Sequence, residues 1–497
     1  MASPGRLMQK QCAATLSRKG SLASKYFNHG HVRHKSTKAV AAEGTAEEGE
    51  ETTSAVGGRA RFSPEVLFGK NKIGWIGLPE ELLASIDTEL ADSKPRQLKR
   101  DVERIHSSLR STGSAAKLIK YATSDGRTRV PLIEPHTIQY GPLETKAYVA
   151  SRTVPAYAAA INVMTQVATR CPDFAPTSCM DFATGPGTAL WAANRVWDSI
   201  TENVGIDLSE AMLAAAMRIA ETNDAEATAK IRNLSTRRYL SSSEAAPKSD
   251  LVIANFALGD LASDAIRKTT IESLWNQTGD VLVLIERGTP EGFKRIATAR
   301  AMILAKENKS SAEAAAVATP SPSTSTNAEL QEKHPPLAEL PVAENVHVVV
   351  PCPHSQTCPM LAQSSWCHFS QRIQRSRHMM MTAPNHVSNN HQDIKFSYVV
   401  LRRGPKPTAT AQPTQPNFVT ESFNWPRIIA PPMKRDKHVV MDMCASSGRL
   451  ERINVSKGKS GKAIYHEARK SAWGDIWPHK PVGTVVVKEP EKSDDER

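Results

Sequence analysis

Residues 181–188 read Asp-Phe-Ala-Thr-Gly-Pro-Gly-Thr, a turn with two glycines between a short apolar run and an Ala-rich segment. Glycines at a strand-to-helix turn let the backbone pass close to a ligand and leave the first helix N–H groups pointing at it. Downstream, residues 204–207 (Val-Gly-Ile-Asp) end a second apolar run in a carboxylate, which is placed to accept hydrogen bonds from a ribose. The two features together predict a site for a nucleotide or a nucleoside.

The sequence around this turn alternates between short apolar runs and helical stretches, which is typical of a parallel sheet in an α/β domain. A helical region is expected before it, beginning near Pro79 and ending with an Ala-rich helix at 154–168. The expected strands lie at 179–182, 203–206, 250–255, 280–286, 346–350 and 396–401.

The turn, the acid at Asp207 and the helix opening at Leu208-Ser209-Glu210 together resemble class I S-adenosylmethionine-dependent methyltransferases more than NAD dehydrogenases. The resemblance implies a Rossmann-like sheet that binds S-adenosylmethionine. One departure is Ala183, where the methyltransferase turn usually has a glycine. The extra methyl group narrows the room at the methionine end of the cofactor, so we expect weaker binding rather than none.

A catalytic apparatus is harder to find. The strand that ends in residues 253–258 lacks the Asn-Pro-Pro-aromatic clamp with which amino-methyltransferases hold a flipped base. Pro351-Cys352 looks like the nucleophile of cytosine-5 methyltransferases, but it lies outside the core strands where that thiolate belongs. We therefore assign no catalytic residue, and the sequence leaves open whether the chain is an enzyme.

Three of the seven cysteines, Cys352, Cys358 and Cys367, fall in one short stretch, and Cys444 is the remaining cysteine of the C-terminal part. Thiolates close in sequence bind soft metals, so a metal site is expected with Cys444 as the fourth ligand. The prolines beside Cys352 and Cys358 favour an iron–sulfur cluster, as in ferredoxin-type loops. Structural zinc, with His354 or His368 in place of Cys444, and unrelated thiols stay as alternatives.

Length and charge bound the function classes. The 497 residues allow two or three domains, and no run of about 18 apolar residues predicts a membrane span. A net charge of +12 favours a polyanionic partner such as RNA or an anionic membrane surface. Basic runs follow the third and fourth cysteines: Arg372, Arg375, Arg377 and His378, and then Arg449, Arg452, Lys457, Lys459 and Lys462.

The first 42 residues contain eight lysines and arginines among Ser, Ala and Leu, and no Asp or Glu. This composition predicts a mitochondrial presequence and a matrix location. A basic RNA-binding tail is the alternative. The expected segments are the presequence (1–42), an acidic spacer (43–61), the helical N-terminal region (62–170), the methyltransferase-like core (171–304), a low-complexity insertion (305–345), the cysteine segment with the remaining strands (346–403), a Pro/Thr-rich linker (404–417) and a basic C-terminal arm (418–497).

Several segments from about Tyr140 onward resemble one family, the methyltransferase-like assembly proteins of the mitochondrial small ribosomal subunit, which include methyltransferase-like protein seventeen of animals and Rsm twenty-two of fungi. Only the two low-complexity segments interrupt the resemblance. The matching segments are 170–178 with 181–188, 286–293 (Glu-Arg-Gly-Thr-Pro-Glu-Gly-Phe), 351–354, 396–403 and 473–478.

This resemblance implies a factor that acts as a monomer on the maturing small subunit, with small-subunit rRNA and ribosomal proteins as partners. It implies a 4Fe-4S cluster on Cys352, Cys358, Cys367 and Cys444, and an S-adenosylmethionine pocket lined by Asp181, Gly185, Gly187 and Asp207. Catalysis is expected to be weak or absent. The alternative is an active S-adenosylmethionine-dependent rRNA methyltransferase.

Overall fold

The computed structural model describes residues 62–110, 138–221, 231–241, 243, 245–318, 345–383, 389–408 and 418–488. The predicted presequence and acidic spacer lie outside the described residues, as do most of the 305–345 insertion and of the 404–417 linker.

Twelve helices and fourteen strands are formed by the described residues. The helices are α1 Pro64–Phe68, α2 Glu80–Glu89, α3 Pro95–Arg110, α4 Pro142–Arg170, α5 Thr188–Val196, α6 Glu210–Ala220, α7 Asp264–Asn276, α8 Pro290–Ala318, α9 Arg377–Thr382, α10 Phe418–Ser422, α11 Lys457–Ser460 and α12 Lys462–Lys470. The strands are β1 Trp75–Ile76, β2 Ser178–Phe182, β3 Glu202–Ile206, β4 Leu234–Arg237, β5 Ser249–Asn255, β6 Thr278–Arg287, β7 Val346–Val350, β8 Phe369–Gln374, β9 His391–Arg403, β10 Arg427–Ile428, β11 Met433–Lys434, β12 His438–Cys444, β13 Leu450–Ser456 and β14 Val486–Lys488.

The main sheet of the described residues has nine strands in the order β1-β8-β9-β6-β5-β2-β3-β4, with β7 also paired to β9. Strands β2 to β6 are parallel to one another, and β9 runs antiparallel to β6. The order reverses between β2 and β5, and in open α/β sheets such a point leaves a crevice for a ligand at the carboxyl ends of the strands. The α/β class is confirmed, and this sheet has the arrangement expected of a class I methyltransferase.

The sheet is covered on both faces. In β6 the side chains of Val281, Val283 and Ile285 belong to one buried cluster together with α4 and α5. Those of Leu282 and Leu284 belong to a second cluster together with α7 and α8. Because both faces are buried, the central strands are almost continuously apolar, which is why the sequence pattern located them.

Two strands share one edge of β9. Val346–Val350 pairs with residues 400–403 of β9, and Phe369–Gln374 pairs with residues 391–396. Residues 351–368, which carry three of the cysteines, therefore leave the sheet edge and return to the same edge. We call residues 351–368 the cysteine loop.

The C-terminal residues form a second, antiparallel sheet rather than the basic arm expected from their charge. Its order is β10-β12-β13-β14, with β11 paired to β12. Val439, Met441 and Met443 alternate along β12 and are buried with Tyr465 and Trp477. That period of two is a strand signal, with Val440 and Asp442 between the three buried residues.

Other parts of the fold also differ from the expectation. Strands β4 and β8 were not predicted, because their sequences (Leu-Ser-Thr-Arg and Phe-Ser-Gln-Arg-Ile-Gln) are mostly polar. Helix α8 continues through Ala318, into the segment expected to be low-complexity, because its Ala and Glu residues are good helix formers. None of the helices that the structure describes combines the length and the apolar character needed to cross a bilayer.

Candidate functional site

The turn between β2 and α5 holds the carboxylate that follows β3. The Gly185 N–H donates a 2.9 Å hydrogen bond to Asp207 Oδ2, and the Ser209 N–H donates a 2.9 Å bond to Asp207 Oδ1. Gly185 and Gly187 have φ of +53° and +80°, a left-handed backbone that glycine adopts without steric cost. The structure therefore brings Gly185 and Asp207 into direct contact, with Gly187 at the start of α5.

Asp181, the last acid of β2, lies beneath this turn and is only 1% exposed. Its Oδ2 accepts a 2.8 Å hydrogen bond from Thr184 Oγ1, whereas its buried Oδ1 has no partner among the described residues. Burial, with a smaller effect from Asp207, raises the pKa of Asp181 to about 7. Ala183 has a φ of +55°, so the turn keeps a left-handed residue where the methyltransferase pattern usually has glycine.

Charged groups that the sequence pattern did not single out surround the same crevice. Arg287 Nη2 at the end of β6 lies 3.6 Å from Asp260 Oδ1, and Arg152 projects from α4. Phe256, just after β5, has a φ of +60°, a strained conformation for an aromatic residue that concentrates at functional sites. The sequence signal that could have identified this surface is the four-residue spacing of Tyr148 and Arg152, which places both residues on one face of α4.

Three of the four cysteines of the predicted metal site share one apolar cluster although Cys444 lies in the other sheet. Cys444, the last residue of β12, is 6% exposed and packs in one apolar cluster with Cys358 and Cys367. Its Sγ lies 3.2 Å from Nε2 of His354 in the cysteine loop. Cys352 also lies within electrostatic reach of the other three thiols.

Burial is the main influence on these thiols. Burial raises the pKa of Cys358 to about 11, and it raises the pKa values of Cys367 and Cys444 well above the usual range of a thiol. The neighbouring sulfurs act in the same direction, because two thiolates repel each other. A thiol whose pKa is raised in this way gives up its proton when a metal ion takes the proton's place.

Buried arginines lie next to these cysteines. Arg300 of α8, 3% exposed, donates hydrogen bonds of 2.8 and 2.6 Å to the carbonyl oxygens of Gln356 and His354. Arg427 of β10, also 3% exposed, donates bonds of 2.9 and 2.6 Å to those of Pro351 and Gly474. Neither guanidinium forms an ion pair with a carboxylate in the part of the chain that the structure describes. Buried charges are normally paired, so the centre has positive charge to spare.

The two sheets meet at the cysteine loop. The N–H of the Trp366 indole donates a 2.9 Å hydrogen bond to the Gly288 carbonyl after β6, and Ser397 Oγ of β9 donates a 2.9 Å bond to the Cys367 carbonyl. From the second sheet, Gly448 in the β12–β13 turn lies against Gln356, where a Cβ would stand only 2.0 Å from Gln356 Oε1.

The two histidines that the zinc alternative invoked lie in different surroundings. His354 contacts Cys444, and burial together with the charge of Arg300 lowers its pKa to about 3. His368 stacks on Trp366 and meets Trp473 edge-on, with ring centroids 5.4 and 4.2 Å apart. Over the described ranges, no group of three or more His, Cys, Asp or Glu side chains is arranged to hold a single metal ion.

The basic runs divide into paired and exposed residues. Arg372 pairs with Asp393 at 2.8 Å, and Arg452 pairs with Asp442 at 2.6 Å, so both are engaged within the protein. His378 lies 2.6 Å from Asp87. The residues that are exposed and form no ion pair with the described residues are Arg377, Arg449, Lys457, Lys459 and Lys462.

Comparison with known proteins assigns the chain to a family. A profile described as mitochondrial small ribosomal subunit Rsm22 matches residues 142–336 and 332–478. The human mitochondrial ribosome assembly protein METTL17 is 30% identical over 334 residues, which cover 67% of this chain and 62% of that protein. The mitochondrial ribosome assembly protein RSM22 of Saccharomyces cerevisiae is 28% identical over 274 residues, covering 44% of this chain and 43% of that protein. The chain thus spans less than two thirds of either relative.

Among solved structures, the magnesium protoporphyrin IX methyltransferase of Synechocystis is 14% identical and covers 37% of this chain and 76% of that chain, with a TM-score of 0.21. The family profile covers more than half of the chain, including the glycine turn, the cysteine loop and Cys444. The chain belongs to the mitochondrial small ribosomal subunit Rsm22 family.

Proposed function

We propose that this protein is an assembly and translation factor of the mitochondrial small ribosomal subunit that acts in the matrix, binds rRNA beside an iron–sulfur centre and has weak or no catalytic activity. The partners are small-subunit rRNA and ribosomal proteins, and the protein acts as a monomer on the ribosome precursor. The observation that supports the proposal is that Cys444 packs with Cys358 and Cys367, near Cys352 and beside two buried arginines.

The donor set fits a 4Fe-4S cluster. Four cysteines supply four thiolates, and each would bind a different iron, so the sulfurs need not stand at the spacing of ligands around one ion. A cluster with four thiolates is anionic, and Arg300 and Arg427 would offset that charge. When bound, the cluster would join the two sheets and supply electron-transfer capacity. The protein itself holds the cysteine loop in place, because backbone carbonyl oxygens of the loop accept hydrogen bonds from Arg300 and Arg427.

The glycine turn fits S-adenosylmethionine, with Asp207 positioned for the ribose and Asp181, Gly185 and Gly187 around the cofactor. Both oxygens of Asp207 accept backbone hydrogen bonds, and a carboxylate has further lone pairs with which it can accept from ribose hydroxyls. The same pocket supports the alternative function, an active rRNA methyltransferase. The strand that ends in residues 253–258 lacks the Asn-Pro-Pro-aromatic clamp of amino-methyltransferases, which is why catalysis is the second choice.

Anaerobic purification followed by metal analysis tests the cluster. We expect about four irons and four acid-labile sulfides per chain, with a broad absorbance that bleaches on reduction. Zinc without iron or sulfide would overturn the cluster and favour zinc on these cysteines, with His354 as an alternative ligand. Cys179→Ala, at a buried thiol of β2 in the main core, is the matched control and should keep the iron.

Transfer of a labelled methyl group separates the two functions. Purified protein, small-subunit rRNA and methyl-labelled S-adenosylmethionine should give no transfer while the cofactor still binds. Transfer that stops in Asp207→Ala would instead establish the methyltransferase.

The exposed lysines of α11 and α12 test the rRNA interface. Replacing Lys457, Lys459 and Lys462 by glutamine should weaken rRNA binding and lower the slope of log affinity against log salt by up to about 3, because each phosphate contact releases counterions. The matched control is the same replacement at three exposed lysines elsewhere, Lys248, Lys268 and Lys294. Equal losses in both triple variants would show that net charge, and not this surface, binds the RNA.

A further inference from the structure

One face of helix α4 crosses the crevice beside the glycine turn. Tyr148, Arg152 and Ala156 are spaced by four residues, so they share a helix face. A Cβ on Gly185 would lie 3.7 Å from Tyr148 Cε1. The Ala156 carbonyl accepts a 3.2 Å hydrogen bond from Asn255 Nδ2 at the end of β5. Arg152 therefore lies between the carboxyl ends of β2 and β5.

Arg152 is a half-buried cation that forms no ion pair with a carboxylate of the described residues, and its Nε is buried without a hydrogen bond. A second cation is near, since burial and the charge of Arg287 together lower the pKa of Arg152 to about 10. The carboxylates of Asp260 and Glu286 interact most strongly with Arg287, and Asp260 Oδ1 lies 3.6 Å from Arg287 Nη2. The guanidinium of Arg152 forms no ion pair with these or other described residues, so it is placed to meet an anion.

Buried acceptors lie at the same strand ends. Asn255 commits its Nδ2 to Ala156, which leaves its buried Oδ1 without a partner, and Asp181 Oδ1 is in the same state. Buried polar atoms normally have hydrogen-bond partners, so each of these oxygens is expected to accept a hydrogen bond when a ligand is bound. A guanidinium beside two acceptors is the complement of an α-amino acid zwitterion.

We propose that Arg152 binds the carboxylate at the amino-acid end of S-adenosylmethionine, while Asn255 Oδ1 accepts from the ammonium group. This inference rests on the proposed cofactor binding. Asp207, on the β3 side of the turn, is positioned for the ribose, so the amino-acid end of the same molecule extends over the turn toward β5.

Two ligands that differ only in the carboxylate test the role of Arg152. Affinities of the full-length protein for S-adenosylmethionine and for decarboxylated S-adenosylmethionine are measured by calorimetry in the wild type, in Arg152→Met and in Arg152→Lys. The wild type should prefer the carboxylated ligand roughly tenfold to a hundredfold. In Arg152→Met that preference should vanish with little change in affinity for the decarboxylated ligand, and Arg152→Lys should keep part of it.

The outcomes are distinguishable. A wild type that binds both ligands equally, or an Arg152→Met variant that loses both equally, would overturn this inference and leave cofactor binding intact. A wild type that binds neither would overturn the cofactor proposal and this inference with it. If Arg152→Met does not fold, the wild type and Arg152→Lys still decide. Loss of rRNA binding with unchanged ligand preference would assign Arg152 to a phosphate instead.

Discussion

The cofactor crevice and the cysteine centre are built in opposite ways. The crevice groups proposed for the nucleoside lie within residues 181–209, on two adjacent strands, and are held by backbone hydrogen bonds such as that from Gly185 to Asp207. The cysteine centre joins residues 352–367 to Cys444, and its buried cations bond only to carbonyl oxygens. The nucleoside part of the crevice is held by hydrogen bonds within the protein, whereas the centre gathers thiols and cations whose charges do not balance.

Because the two sites are built differently, we expect their stability to depend differently on a bound ligand. A site held by strand pairing should survive loss of its ligand, because its backbone is fixed by the sheet. A centre that joins two sheets through side chains without charge balance should depend on the group that it binds, since metal binding and local folding are linked. Substitutions at the two sites test this difference between the crevice and the cysteine centre.

Cys444→Ser is expected to have the largest effect. One thiolate of four is lost, and with it the link between β12 and the cysteine loop, so cluster content should fall and stability should decrease by about 4 kcal/mol or more. Iron analysis and thermal unfolding measure both quantities, and rRNA binding should weaken as well. A variant that kept full iron content and ribosome binding would show that Cys444 is not a ligand.

Arg300→Met tests the charge of the centre. In metal-loaded protein the substitution removes a counter-charge to an anionic cluster, and we expect a loss of about 3 kcal/mol. In protein stripped of metal by a chelator, the same substitution removes an uncompensated buried charge, so the loss should be smaller or reversed. Denaturant unfolding of both forms gives the difference.

Arg403→Met is the control for Arg300→Met, at a partly buried arginine whose Nη1 also lies 3.9 Å from a carboxylate oxygen of Glu307. Arg403 also donates to two carbonyl oxygens, those of Thr278 and Trp275, both at 2.8 Å, and it lies in β9 of the main sheet. Its effect should be the same in loaded and stripped protein. If Arg300→Met behaved as this control does, the centre would hold no anion.

The sequence predicted the crevice better than the cysteine centre because the crevice is local. Strand β2 is an apolar run, the turn contains two glycines, and Asp207 ends the next apolar run. Each of these signals can be recognised from a few neighbouring residues. Cys444 was expected to join the other cysteines because it was the remaining cysteine of that half of the chain and because the family resemblance implies it. The short period-two pattern of β12 did not indicate that this strand belongs to a second sheet that carries Cys444 to the cysteine loop.

The buried arginines show a second limit of the sequence. Arg300 and Arg427 look like ordinary basic residues in the sequence, and only the fold places them against the cysteine loop. Conversely, Arg372 and Arg452 belong to the basic runs seen in the sequence, but the structure pairs both with carboxylates on neighbouring strands. Partners that are adjacent only across a sheet cannot be recognised from a single sequence without its strand register.

A pH dependence should belong to the crevice. The Asp181 pKa of about 7 lies above the value of 3.8 expected in the unfolded chain. Between these values the unfolded chain is ionised and the folded chain keeps its proton, so this group's stabilising contribution is present at low pH and is lost as the pH rises toward 7. Through Asp181 alone, raising the pH from 5 to 7 should therefore lower the free energy of unfolding by about 2 kcal/mol.

Asp181→Asn removes this titration while an amide oxygen can still accept from Thr184. Urea unfolding at pH 5, 6, 7 and 8 should therefore show wild type losing stability relative to the variant as the pH rises, with no further change above pH 8. A difference that was constant across this range would mean that Asp181 is ionised in the folded protein.

Two left-handed glycines give the smallest and most closely matched test. Gly187 in the crevice has a φ of +80° and Gly448 beside the cysteine loop has a φ of +74°, so alanine should cost about 1 kcal/mol at either position for backbone strain. Their surroundings differ. A Cβ at Gly187 would lie 3.7 Å from Ala216 Cβ, an ordinary contact, whereas one at Gly448 would lie 2.0 Å from Gln356 Oε1. Gly448→Ala should therefore cost about 1 kcal/mol more than Gly187→Ala.

The extra cost should disappear when Gln356 is replaced by alanine, because the contact that causes it is then gone. Thermal unfolding of Gly448→Ala, Gln356→Ala and the double variant forms a cycle that isolates this contact. In the crevice no such coupling is expected between Gly187→Ala and Gln356→Ala, since the two residues belong to different sites. If Gly448→Ala also lowered iron retention while Gly187→Ala did not, the docking of the β12–β13 turn would be part of what keeps the metal. Equal costs at the two glycines, with no coupling to Gln356, would mean that Gln356 moves aside freely and that this contact does not help to attach the second sheet to the cysteine loop.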